Sequence, residues 1–233
     1  MEQTLRITSV LSDPTRYYIY QFILNNHREV NVQEIADKFE IHPNVARLHL
    51  SKLEDVKMIV SESKKTGKGG RPSRLYRLSN EVIQLHFPSR DYQLLSKIFL
   101  QAISLLGEQG LEALSQTGKA FGQELIQQKL ILSGTTMNHL SFQGKVDLLN
   151  DAAKSSGFSP EFHATEEEGK IFLQVFNCPF KELASADPKV ICTMHNAFLM
   201  GMFESVFEDV ELVEVENMFS QCEFCAYKAT VTK

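Results

Sequence analysis

Along the first eighty residues, apolar positions recur at helical spacing in short runs, each closed by a polar turn. Ser12-Asp13-Pro14 marks a helix start, a capping side chain ahead of a proline that the first turn tolerates. Tyr17, Ile19, Tyr20 and Ile23 follow, and the helix stops near Asn25-Asn26. Asn31 caps a short run carrying Ile35, Ala36 and Phe39, with Glu34 three residues on to complete a capping box. The turn Ile41-His42-Pro43-Asn44 leads into 45–56, where Ala46, Leu50 and Leu53 share one face. The period then changes: 58–63 and 75–78 read as two short strands joined by a long basic tip rich in glycine.

The remainder alternates differently. From 91 to 132 the positions Leu94, Leu95, Ile98, Phe99, Ile103 and Leu106, then Leu111, Leu114, Phe121 and Leu125, predict two helices broken between Gly107 and Gly110. These read as a connecting and dimerising unit. Beyond them come a helix over 142–156 stopped by Gly157, a strand, a turn at 166–169 and a strand over 171–176. After the Cys178-Pro179-Phe180 loop follow a helix over 188–207 and strands over 210–216 and 224–231. The fold class expected is α+β: a winged helix-turn-helix over 1–80, a helical dimerisation linker over 81–135, and an α/β sensor domain with antiparallel strands over 136–233.

Composition adds bounds. With 233 residues, 43% hydrophobic and 23% charged, the chain can bury a core in each of two domains. No apolar run is long enough to cross a bilayer, and Met1-Glu2-Gln3-Thr4-Leu5-Arg6 lacks the basic-then-apolar order of a signal peptide. A cytoplasmic location away from membranes is expected. The formal charge of -5 hides an asymmetry: residues 1–79 carry 13 basic and 9 acidic groups, the rest 11 basic and 20 acidic. Only the first domain suits a polyanion.

A short helix, a tight turn and a second helix with a small or apolar inward face let that second helix enter the major groove, N-terminal end foremost. Asn44, Val45, Arg47 and Leu48 stand at that end. Asn pairs bidentately with adenine, Arg with guanine, and Val45 suits a thymine methyl. Lys64, Lys65, Lys68, Arg71, Arg74 and Arg77 follow with no acid among them. Alone, such a stretch reads as a solvated loop; beside the helix pair it reads as a phosphate or minor-groove contact.

All four cysteines lie between Cys178 and Cys225. In a reducing compartment they are thiolates for metal or redox chemistry rather than structural disulfides. Cys222 and Cys225, two residues between them, can reach one metal, and Cys178 and Cys192 would complete a sulfur site for zinc or an iron-sulfur cluster. His195, one helical turn after Cys192, is a substitute ligand. The plainer alternatives are four small buried residues and a histidine packing on a helix face. His27, His42, His49, His86, His139 and His163 show no ligand pairing, and His49 reads as a packing residue.

Leu11-Ser12-Asp13-Pro14-Thr15-Arg16, the 45–53 helix and Gly70-Arg71-Pro72 resemble the ArsR-type winged-helix repressors over about the first 80 residues. Lys57 stands where such proteins commonly carry a glycine before the first wing strand. Asn177-Cys178-Pro179-Phe180-Lys181-Glu182-Leu183-Ala184, then Val190-Ile191-Cys192 and a cysteine-bearing final strand, resemble the iron-sulfur-sensing repressors of the Suf cluster-assembly operon. That resemblance implies a cluster held by Cys178, Cys192 and one or both of Cys222 and Cys225, with His195 a candidate for the fourth position. It implies a homodimeric repressor on an inverted-repeat operator of double-stranded DNA, its DNA affinity modulated by the cluster. A structural zinc with a small-molecule effector is the alternative.

An enzyme is not expected. A catalytic zinc keeps an open position that four cysteines would close. The glycines of 67–70 precede a strand rather than a helix and form no P-loop pattern.

Overall fold

The computed structural model describes residues 2–64, 73–83, 85, 88, 90–220 and 222–231. Its contacts divide the chain into two units, one ending at Arg90 and one beginning at Asp91.

The first unit runs α1 (Glu2–Leu11), α2 (Pro14–Asn26), β1 (Val30–Asn31), α3 (Val32–Phe39), α4 (Pro43–Asp55), β2 (Ile59–Lys64) and β3 (Ser73–Leu78). The expected start signals operate. Asp13 accepts the Arg16 backbone N–H, which holds its carboxyl below the usual range, and Asn31 with Glu34 forms the reciprocal capping box. Ile19 and Ile23 from α2, Ile35 from α3, Leu50 and Leu53 from α4, Ile59 from β2 and Tyr76 from β3 meet in one closed core. The two-residue β1 escaped the sequence pattern because it is too short to alternate. It pairs antiparallel with β3, giving a three-stranded sheet in the order β1-β3-β2. A helix pair followed by a β-ribbon is a winged helix-turn-helix.

The second unit runs α5 (Tyr92–Ser104), α6 (Glu108–Ser133), a 3-10 turn (Met137–His139), α7 (Phe142–Ser155), β4 (Pro160–Thr165), β5 (Lys170–Val175), α8 (Lys181–Ala184), α9 (Pro188–Glu204), β6 (Val210–Glu216) and β7 (Cys225–Val231). Its four strands form an antiparallel sheet in the order β4-β5-β7-β6. Ile171, Leu173, Val175, Tyr227 and Ala229 turn inward to join Leu149 of α7 and Leu199 and Phe203 of α9.

Residues 91–135, read from the sequence as linker, lie in this unit, with α6 against α9. The contact runs backbone to backbone. A Cβ on Gly122 would stand 2.1 Å from the Phe198 carbonyl oxygen, and one on Gly201 would stand 2.1 Å from that of Lys119. Only a residue without a side chain lets two helix axes come so close. By contrast α5 buries none of its residues: Leu94, Leu95, Ile98 and Phe99 are each about half exposed.

Candidate functional site

At the N-terminal end of α4 the helical period separates core from surface. Ala46, Leu50 and Leu53 are completely buried, whereas Asn44, Val45, Arg47 and Leu48 are exposed, Leu48 at 56%. His42 caps this end, its Nδ1 accepting the Asn44 backbone N–H at 3.2 Å. Arg47 Nη1 donates to Asn44 Oδ1 at 2.9 Å. The two groups best suited to read purine edges thus hold one another in the free protein, and each base contact replaces part of that bond. His49 faces inward, its imidazole acidity increased by burial.

The stem of the β-ribbon differs from the sequence picture of unopposed charge. Lys64 Nζ lies 2.7 Å from Glu29 Oε2. Arg74 makes two bonds to Glu54, at 2.8 and 3.0 Å, and a third to Ser61 Oγ at 2.7 Å. Arg77 pairs with Glu62 at 3.7 Å. The acids come from the loop before β1, from α4 and from β2, too far along the chain for local pattern to reveal them. Lys65, Lys68, Arg71 and the Gly70-Arg71-Pro72 motif lie outside the described residues. Lys57 takes the left-handed conformation at φ 61°, as a glycine-favouring position before the first wing strand would.

The second constellation is internal. Cys178 sits in the loop before α8, Cys192 in the first turns of α9 and Cys225 at the start of β7. Burial pushes the Cys178 thiol up to about 12, with Cys225 and Cys192 adding to the rise. The Cys192 and Cys225 thiols are raised as well, chiefly by burial. Cys222 is half-buried in the turn three residues ahead of Cys225.

Two of the sulfurs accept hydrogen bonds, Cys225 from the Met218 backbone N–H at 3.4 Å and Cys192 from Asn217 Nδ2 at 3.8 Å. Asn217 is held in turn by Glu214 at 2.8 Å, and Glu214 also accepts from Asn196, which receives the Tyr227 hydroxyl proton. N–H contacts to sulfur suit a thiolate rather than a thiol. By donor chemistry the residues fit a thiolate-bound metal or cluster. Among the described residues, though, no three His, Cys, Asp or Glu side chains are arranged to hold a single ion. Burial favours the protonated form of the Cys178, Cys192 and Cys225 thiols, so loading must release protons.

His195 is 2% exposed and lies in an aromatic box, stacked on Phe158 at 5.0 Å with Phe180 and Tyr227 edge-on. Burial lowers it to about 4, so it is neutral. Its Nδ1 stands 4.0 Å from Cys178 Sγ, and its buried Nε2 has no hydrogen-bond partner among the described residues. The packing expected of a helix-face histidine and the nearness expected of a ligand are both present. Sequence reasoning missed Asn217, Glu214 and Tyr227, whose roles depend on the pairing of β6 with β7.

The first unit thus has the architecture of the winged helix-turn-helix DNA-binding class, and a family model described as a helix-turn-helix domain matches residues 11–62. No curated protein sequence matches the chain. Among solved structures, the chain is similar to trafficking protein particle complex subunit 3 from Naegleria fowleri, crystallised covalently bound to palmitic acid. That similarity has 14% identity over 60% of this chain and 97% of the other, with a TM-score of 0.39, a level at which nothing carries over. No helix among the described residues is long and apolar enough to cross a membrane.

Proposed function

We propose that this protein is a DNA-binding transcription regulator, a cytoplasmic repressor rather than an enzyme, whose second unit governs when the first binds. One observation carries the reading: Asn44, Val45, Arg47 and Leu48 form an exposed N-terminal face on the second helix of a winged helix-turn-helix. Asn44 and Arg47 read bases, and Val45 and Leu48 supply apolar contact. The protein acts as a homodimer on an inverted repeat, with half-sites about 34 Å apart. The apolar, wholly unburied α5 supports a partner of the same kind, because a stripe of this size rarely stays in water.

The regulatory group is an iron-sulfur cluster held by Cys178, Cys192 and Cys225, with Cys222 or His195 at the remaining position. The thiol chemistry of these side chains and the N–H groups that donate to Cys192 and Cys225 support it. The cluster would supply a redox-sensitive charge; the chain's residues would hold it and shield it, with N–H groups donating to the Cys192 and Cys225 sulfurs. A structural zinc with a small-molecule effector is the second reading, favoured by the Cys222-x-x-Cys225 spacing at a strand start, a geometry that places two thiolates on one ion.

Protein purified without air decides between them. Acid-labile sulfide and visible absorbance that vanish in Cys178→Ser support the cluster, and colourless protein with one zinc per chain supports the alternative. Gel shifts of loaded and metal-free protein on the same duplex test regulation. Equal affinity would remove the sensing role and leave DNA binding standing.

A further inference from the structure

Three basic residues of the wing stem already have acidic partners, but one of these contacts differs in kind. Lys64 and Arg77 each meet a single carboxylate, an arrangement of little energetic weight at a surface. Arg74 is as exposed as they are, and what sets it apart is the network it joins. Arg74 makes three bonds through two of its nitrogens. Nη2 donates to both oxygens of Glu54, Nε donates to Ser61 Oγ, and the Ser61 hydroxyl donates onward to Glu54 Oε1 at 2.7 Å. The guanidinium also lies 5.5 Å from the ring centre of Tyr76, which is 1% exposed. The loop of bonds is closed: the Ser61 hydroxyl accepts from Arg74 and donates to Glu54, and both Glu54 oxygens are engaged by Arg74 Nη2.

Each member comes from a different element. Glu54 is in the last turn of α4, Ser61 on β2 and Arg74 on β3. Glu54 lies ten residues beyond Asn44. At 1.5 Å per residue the brace therefore grips α4 about 15 Å from its reading end. Fixing that distant end against the sheet sets the tilt at which Asn44 and Arg47 present themselves. Base readout needs bidentate geometry, which tolerates little tilt.

We propose that Arg74 is a positioning residue that braces the recognition helix against the wing through Glu54 and Ser61, and that it does not contact phosphate. The inference rests on the DNA-binding reading above. It reassigns the stem: net attraction for the backbone comes from basic groups outside these ion pairs, and Arg74 contributes aim.

The full-length protein tests this on a labelled duplex that the wild type selects from a randomised pool, beside a scrambled duplex of equal composition, over a series of salt concentrations. Arg74→Gln should weaken binding to the selected duplex about fivefold, the upper end for an exposed ion pair. It should narrow the ratio between the two duplexes and leave the slope of log affinity against log salt unchanged. Glu54→Gln should weaken selected binding similarly, although removing an acid from a DNA-binding surface would by charge alone strengthen it. The reversed pair E54R/R74E should recover most of what R74E loses, because the Ser61 hydroxyl can donate to one partner and accept from the other.

A salt slope shallower by about 0.9 in Arg74→Gln marks a phosphate contact and overturns the proposal. So does tighter binding by Glu54→Gln, or a reversed pair no better than R74E alone. Circular dichroism identifies any unfolded variant, and an unfolded Arg74→Gln leaves Glu54→Gln and the reversed pair to decide. If the wild type selects no duplex at all, the DNA-binding reading fails, and the brace falls with it.

Discussion

The two units place their chemistry on opposite sides of their surfaces. In the first, the core is apolar apart from His49 where α2, α3, α4 and the sheet meet, and the groups that can recognise a ligand stand outside, at Asn44, Val45, Arg47 and Leu48. In the second, the groups capable of chemistry are inside: Cys178, His195, Cys225 and Tyr227 are all buried, and Glu214 and Asn217 reach inward toward them. A surface can lose a side chain without disturbing its support. An internal site shares its walls with the hydrophobic core, so changes there act on folding and function together.

The largest expected effect sharpens the second half of that contrast. Ala in place of Gly normally favours a helix by about 1 kcal/mol. Gly122→Ala should instead destabilise by about 3 kcal/mol or more, since the new Cβ meets the backbone of α9 and neither helix can yield locally. Because α9 packs against α6 and carries Cys192 and His195, the loss should appear as a lower thermal unfolding temperature. A variant as stable as the wild type would show that α6 and α9 are not locked to each other.

Arg47→Ala probes the exposed side. It should cost about 1–3 kcal/mol of discrimination on a selected duplex. Its stability should change by no more than about 0.5 kcal/mol, because only the surface bond to Asn44 is lost. A large drop in melting temperature would mean that the reading face is also structural, and the contrast between the units would dissolve.

The same contrast explains what the sequence could show. The elements of the first unit follow from capping signals and an apolar period at a solvent boundary, which is where periodicity carries information. Asp13, Asn31, Glu34 and the inward Ala46, Leu50 and Leu53 all act as their spacing implies. The reading face followed as the complement of that inward face. The wing stem did not, because Glu29, Glu54 and Glu62 meet their partners only after the sheet forms. In the second unit the cysteine cluster was visible as residue types, but its surroundings were not. Asn217 reaches the Cys192 sulfur and Glu214 reaches Asn217 only once β6 has paired, and a half-buried glutamate on β6 looks, by pattern alone, like any solvated one. The glycines that seat α6 on α9 read locally as weak points in a helix, and became contacts only with the partner backbone in place.

A smaller effect is expected at Lys57, where a non-glycine residue sits at φ 61° between α4 and β2. Its ion pair with Glu81 joins two largely exposed side chains and contributes little. Lys57→Gly should therefore stabilise by roughly 0.5–1 kcal/mol, relief of left-handed strain outweighing the greater freedom of the unfolded chain. Denaturant midpoints with unchanged slope would register it. A destabilised variant would mean that the lysine's contacts, rather than its backbone, hold the turn.

The smallest effect concerns a feature the two units share. His49 and His195 are both buried and both more acidic than a free imidazole, each because burial penalises the charged form. The sign follows from proton uptake. As pH falls through the ordinary histidine range, about 6.5, the unfolded chain binds a proton that the folded chain still refuses, so stability is full above that range and declines below it. The decline stops once the folded-state acidity is passed. His49→Phe, which keeps a ring and removes the titrating nitrogens, should flatten the fall in denaturant midpoint between neutral and mildly acid pH while leaving the share due to His195 in place. An identical slope in wild type and variant would show that His49 is protonated as readily in the folded protein as in the unfolded chain. The inward face of α4 would then admit water, and the first unit would be less cleanly divided into dry core and reading surface than its geometry indicates.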